Sequence, residues 1–283
     1  MPKDVYRPTA VANASVALTD AQKQQFVRDG YLILRQLYSL AEVTRIRDVF
    51  MAQAQDGPVD GLSDRIVGPT SDPLVAYPRM MNPHLHLELP VGAVAREFLL
   101  DARLKPILTD LLGEEPLCVQ TMFYFKPAGA RGQELHQDNF YLRVAPGTCM
   151  AAWLAVDDAD IENGGMKVVP GSHTEDIACP QQADTTVSFT TEYVPVPANM
   201  EAMHVDLKSG DVLFFNGSLI HGSSPNTSTT RFRRSLIAHY VPHGSEELAH
   251  LYKAMTFDGE CVEIAPAEGG GPCGTAQGPM APH

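Results

Sequence analysis

The chain has 283 residues, 44% of them hydrophobic and 19% charged, which is ordinary for a globular protein with apolar material for a substantial core. Its 21 lysines and arginines face 34 aspartates and glutamates, and the net charge of −13 argues against nucleic acid or an anionic membrane surface as a partner. The five cysteines (Cys118, Cys149, Cys179, Cys261, Cys273) form no Cys-x-x-Cys pair, the N-terminus carries no apolar leader-like run, and no stretch approaches the ~18 apolar residues of a membrane span; the expectation is a reduced, cytoplasmic chain without a zinc ribbon or disulfide framework.

Residues 1–17 read as an irregular arm. Thr19 and Gln22 resemble a capping box that opens a short helix, ended by Gly30. Tyr31-Leu-Ile-Leu34 follows as a buried strand. Ser39 and Glu42 make a second capping box, for a helix whose Leu40, Val43, Ile46 and Phe50 form one apolar stripe. Residues 56–83 are rich in Pro, Gly and Asp and have no period, which points to a lid or binding loop. Arg65 and Arg79 lie in it, with His84 and His86 just beyond. Residues 93–112 read as helix up to Gly113, kinked or restarted by Pro106.

From Leu117 the pattern changes to short strands with turn punctuation, at 117–126, 134–142, 149–156, 166–169, 203–207, 211–216, 219–221 and 233–241. Strands at that spacing suggest an all-β sandwich or barrel, and helices preceding them place the helices outside a β core. The Gly/Pro-rich residues 265–283 read as a disordered tail. The chain is read as one domain: a mostly helical part with an active-site loop over 18–116, a β core over 117–245 and a C-terminal extension over 246–283.

The chemistry centres on His136-Gln-Asp138. Side chains two apart on a strand share a face, so an imidazole and a carboxylate could serve one divalent metal. A second histidine downstream would complete a 2-His-1-carboxylate triad, which leaves positions open as non-haem Fe(II) oxygenases require. The candidates are His173, His204, His221, His239 and His243. His221 is preferred: it ends the apolar run from Asp211 and precedes the small-residue loop Gly222-Ser-Ser-Pro225. His173 reads as a turn residue and His239 as a satisfied core group. In Arg231-Phe-Arg-Arg-Ser235, alternation places Arg233, Ser235, Ile237 and His239 on one strand face. A guanidinium beside a hydroxyl suits a carboxylate. Gln120, Met122, Tyr124 and Lys126 share a face of their strand, and Trp153 shares one with Cys149, Ala151 and Ala155.

In this order, His136-x-Asp138, His221 and Arg233-x-Ser235 resemble the Fe(II)/2-oxoglutarate-dependent oxygenases, and within them the phytanoyl-CoA dioxygenase (PhyH) family. Similar stretches include Gly30-Tyr-Leu-Ile-Leu34, Lys126-Pro127, Ala152-Trp153, Glu162-Asn-Gly-Gly165, Val169-Pro-Gly-Ser-His173 and Gly210-Asp211, so the resemblance covers about residues 18–245. It implies a mainly β fold, a double-stranded β-helix or jelly roll of cupin-like form with flanking helices. It implies Fe(II) on His136, Asp138 and His221, with 2-oxoglutarate and O2 as cosubstrates. The distal carboxylate of 2-oxoglutarate would meet Arg233 and Ser235, with Gln120, Tyr124 and Trp153 as further contacts. The implied products are succinate, CO2 and a hydroxylated substrate. Arg79, Lys126, Asn139 and Arg143 are candidate contacts to a small polar or anionic substrate, an organophosphonate among the possibilities. The rival reading is a cupin-like metal-dependent isomerase or a non-catalytic binding module, which leaves Arg233 and Ser235 without a role.

Overall fold

The structure, a computed structural model, describes residues 17–64, 71–268 and 273; the arm before Ala17, Arg65 and most of the 265–283 tail lie outside them. Helices α1 (Asp20–Asp29) and α2 (Leu40–Asp56) start on the expected capping boxes, with the hydroxyls of Thr19 and Ser39 accepting the amides of Gln22 and Glu42. Gly30 ends α1 at φ 78°, and strand β1 (Tyr31–Leu34) follows. The helix expected over 93–112 is two: α3 (Pro90–Leu99) and α4 (Leu104–Leu112). The break precedes Pro106, which is the third residue of α4, where no intrahelical amide bond is required.

The β core comprises β2 (Pro116–Lys126), β3 (Gln133–His136), β4 (Met150–Ala155), β5 (Met166–Val168), β6 (Met203–Val205), β7 (Val212–Asn216), β8 (His221–Ser223) and β9 (Arg233–Pro242). The larger sheet runs β1-β7-β4-β9-β2 and the smaller one β3-β8-β5-β6, with every pairing antiparallel. The chain crosses repeatedly from one sheet to the other, which is the expected jelly roll. Past β2 the larger sheet continues into Ala254–Met255 and Cys261–Val262, so the C-terminal extension adds strands to it.

Alternation on the larger sheet separates two apolar layers. Phe123, Phe125, Leu154, Phe214 and Leu236 point outwards against α2, α3 and α4. There Phe50 stacks on Phe123, with ring centroids 3.9 Å apart. Met122, Tyr124, Trp153, Phe215 and Ile237 point inwards, between the sheets, towards Met166, Val168 and Val205. The inner layer is where the sequence places its chemistry.

Three expectations are corrected. Residues 134–142 are not one strand: β3 stops at His136, and Asn139–Leu142 forms a turn of helix. The amide of Asn139 turns to the Gly217 carbonyl, 2.8 Å away, and the Asp138 carbonyl accepts from Tyr141 and Leu142, so the ladder cannot continue. His221 begins a strand where it was expected to end one, because the Leu219 amide closes a turn onto the Asn216 carbonyl. Finally, Cys179 and Cys273 form a disulfide across 94 positions, a pairing that local Cys spacing cannot reveal. Among the described residues no helix is long and apolar enough to cross a membrane.

Candidate metal centre

β3 and β8 are neighbours, and their register sets His136 directly opposite His221. Asp138 reaches the pair from the helical turn rather than from the strand face. Its Oδ1 stands 3.5 Å from Nε2 of each histidine, and all three side chains are buried. The other ring nitrogens are already committed. Nδ1 of His136 is 2.8 Å from the Glu134 carbonyl, and Nδ1 of His221 is 2.9 Å from the Leu219 carbonyl. A carbonyl only accepts, so each ring carries its proton on Nδ1 and presents a bare Nε2. Burial pulls His221 down to about 4, which keeps it neutral. Burial pushes the Asp138 carboxyl up, but the neighbouring His221 and His239 and the hydrogen bond from His239 hold it well below the usual carboxylate range.

Two imidazole lone pairs and a carboxylate oxygen therefore converge within 4.8 Å of one another. Lone pairs crowded in this way repel unless a cation lies between them. The donor set fits a divalent metal with open positions. Gln137, between the ligands, anchors the turn: its amide donates to the Ser218 carbonyl and accepts from the Ala178 amide.

Arg233 opens into the same cavity, which is also lined by Tyr124, Trp153 and Ser223. The three neighbouring arginines divide cleanly. Arg231 pairs with Asp160 and Glu162, and Arg234 with Asp157. Arg233 is 3% exposed and meets only neutral acceptors, the Ser235 hydroxyl at 2.9 Å and the Gly164 carbonyl at 3.3 Å. Among the described residues no acidic side chain pairs with it. Burial lowers its guanidinium to about 10, against the pull of Tyr124 and Asp157, so it is cationic at neutral pH. A buried cation without a counter-charge is costly, and this one suits an incoming carboxylate. Gly164, at φ 77°, offers its carbonyl to Arg233 and to Lys126 alike; a Cβ there would run into the Lys126 stem and the Ser224 carbonyl.

The remaining expected residues fall in different places. Gln120 lies deeper on β2, fully buried opposite His239, outside the cavity lining. Lys126 is buried and ties the end of β8 to the Gly164 turn, with Nζ 2.7 Å from Ser223 Oγ and 2.6 Å from the Ser224 carbonyl. Arg79 is outside the cavity lining but beside Tyr124, which is in it: it is bonded to Asp64 at 2.6 Å and to the Tyr124 hydroxyl at 3.3 Å, and lies against the rings of Tyr124 and Phe189. Asn139 bonds its amide to the backbone of Val144, and Arg143 donates to the Glu268 carbonyl in the extension. His84 bonds Thr121, His86 pairs with Glu88, and His173 bonds the Val27 carbonyl.

Sequence reasoning missed Gln133 and His239. The Gln133 amide nitrogen lies 3.3 Å from Nε2 of His136. His239, read as a core group, has Nε2 3.0 Å from Asp138 Oδ2. Its signal was available, since it shares the strand face of Arg233.

The sequence profile of the phytanoyl-CoA dioxygenase (PhyH) family matches residues 26–235. Phytanoyl-CoA dioxygenase 1 of Oryza sativa subsp. japonica is 28% identical over 254 residues, spanning 80% of this chain and 89% of that protein. An ectoine dioxygenase of Bordetella bronchiseptica is 27% identical over 232 residues, spanning 75% of this chain and 72% of its own. The fold is shared with the epimerase SnoN, solved in complex with Fe3+, alpha ketoglutarate and nogalamycin RO: TM-score 0.60 at 22% identity, over 80% of this chain and 84% of that one.

Proposed function

Since the chain belongs to the phytanoyl-CoA dioxygenase family of iron- and 2-oxoglutarate-dependent oxygenases, we propose that it hydroxylates a small polar or anionic organic substrate, with release of succinate and CO2. The observation that carries this reading is the buried, unpaired Arg233 facing the cavity of the His136–Asp138–His221 cluster. A cupin-like isomerase that uses no keto-acid cosubstrate, or a passive binding module, needs no such cation. A cosubstrate with a distal carboxylate does.

Bound Fe(II) would supply the oxygen-activating chemistry. His136, Asp138 and His221 would hold it, and their pairing across β3 and β8 keeps both rings in register before it arrives. Arg233, set by Ser235 and Gly164, would bind the distal carboxylate of 2-oxoglutarate, with Trp153 and Tyr124 as walls. The buried apolar residues around the cavity exclude water from the reacting atoms. Arg79, between Tyr124 and Phe189, is the proposed contact to an anionic substrate group. We propose the cytoplasm as location, since three of the five cysteines, Cys118, Cys149 and Cys261, stay as thiols beside the single Cys179–Cys273 bond.

The test is anaerobic. Fe(II) and 2-oxoglutarate are added to metal-free protein while the visible charge-transfer band is followed, with His221→Ala as control. A band in the wild type alone supports the reading. Iron binding that 2-oxoglutarate leaves unchanged would mean Arg233 serves something else. Product mass then fixes the reaction: one added oxygen for hydroxylation, no change for epimerisation, two hydrogens lost for cyclisation. For the substrate, Arg79→Ala should uncouple 2-oxoglutarate turnover from product with iron binding kept, and unchanged coupling removes Arg79 from the substrate site.

A further inference from the structure

We infer that His239 is a positioning residue for this centre: by holding Asp138 Oδ2 it keeps the carboxylate a one-oxygen ligand and so preserves an open coordination position. The inference rests on the metal-centre reading and extends it beyond the three ligands.

The two oxygens of Asp138 have different surroundings. Oδ1 faces Nε2 of His136 and of His221, each at 3.5 Å. Oδ2 faces Nε2 of His239 at 3.0 Å. His239 is fully buried on β9, and its Nδ1 has no hydrogen-bond partner. A proton on Nδ1 would be a buried N–H without an acceptor, which is costly. The proton therefore sits on Nε2 and is donated to Oδ2. That tautomer has one task in the structure, and the task is the carboxylate.

The consequence follows from counting positions. Two histidines and a one-oxygen carboxylate leave three sites of an octahedral ion open. Those positions would be the room left for a chelating cosubstrate and O2. A carboxylate that swung to bind through both oxygens would remove one of the three. The His239 bond opposes that swing by occupying Oδ2, while Oδ1 is the oxygen nearer the histidine pair. Arg233 and His239 lie on the same face of β9, so one strand would orient both the anion clamp and the metal's carboxylate.

The test compares wild type, His239→Leu and His239→Gln by titrating metal-free protein with Co(II) and following its visible absorption. Glutamine keeps a donor; leucine does not. The expected result is Co(II) binding about 10- to 100-fold weaker in His239→Leu. Its visible spectrum should also change, since a second carboxylate oxygen would replace one of the open positions. His239→Gln should recover most of both. A leucine variant that matches wild type in affinity and spectrum overturns the inference, as does a glutamine variant impaired as badly as leucine, since a purely structural role would produce that pattern. If His239→Leu does not fold, His239→Met serves as the donor-free variant. If the wild type itself binds no Co(II), the metal-centre reading falls and this inference falls with it.

Discussion

The guanidinium carbon of Arg233 lies 5.5 Å from the centre of the Trp153 ring. Trp153 is the only tryptophan of the chain and is 2% exposed, so the one indole signal arises beside the proposed carboxylate site. Adding 2-oxoglutarate to metal-loaded protein under anaerobic conditions should change its fluorescence saturably. Arg233→Met should abolish that change while leaving the metal bound. An equal response in both proteins would place the anion elsewhere.

Metal should also act as a stabiliser. The ligands come from the end of β3, the turn after it and the start of β8, so a bound ion cross-links segments that are far apart in sequence. At a free metal concentration 100 times Kd, the gain is about 2.7 kcal/mol if the unfolded chain does not bind. Thermal unfolding with Mn(II), with and without chelator, measures it. The shift should vanish in His221→Ala.

His84 makes stability depend on pH. It is buried against Thr121, and burial, with Arg96 and His86 adding to it, lowers its pKa to about 4 from an ordinary 6.5. Between those values the unfolded chain binds a proton that the folded chain refuses. Stability is therefore full above about pH 6.5 and falls as pH drops towards 4, by at most roughly 3 kcal/mol from this group. His84→Asn should flatten the fall in urea midpoint between pH 7 and 5. An unchanged slope would assign the acid sensitivity to other groups.

Phe123 tests the division of the two layers. It is fully buried, stacks on Phe50 and faces the helices, while its neighbour Met122 faces the cavity. Phe123→Ala should cost about 3–5 kcal/mol. The melting temperature should fall accordingly, while the metal-dependent absorption at low temperature stays near that of wild type.

How far these features could be read beforehand depended on how local their causes are. Both capping boxes lie within four residues, and both were legible. Period-two alternation was enough to turn Arg233 inwards and to set β2, β4 and β9 within a residue or two of their observed ends. The stretch after His136 was misread because Phe140 and Tyr141 favour a strand on their own. There the Asn139 side chain captures the Val144 backbone and Gly217 captures the Asn139 amide, and neither partner is visible in local periodicity. The destinations of Asn139 and Arg143, and the role of His239 beside Asp138, depend on contacts between distant segments. The same holds for the cysteine pair.

That pair changes the connectivity of the molecule. The bond between Cys179 and Cys273 closes a covalent ring that contains His221, Arg233 and His239, while His136 and Asp138 stand outside it. A single protease nick inside the ring would leave the fragments joined, to separate on a denaturing gel only after a thiol reductant is added. The centre would thus be shared between a closed loop of chain and an open one, and severing the loop once would not by itself let its half of the ligands diffuse away.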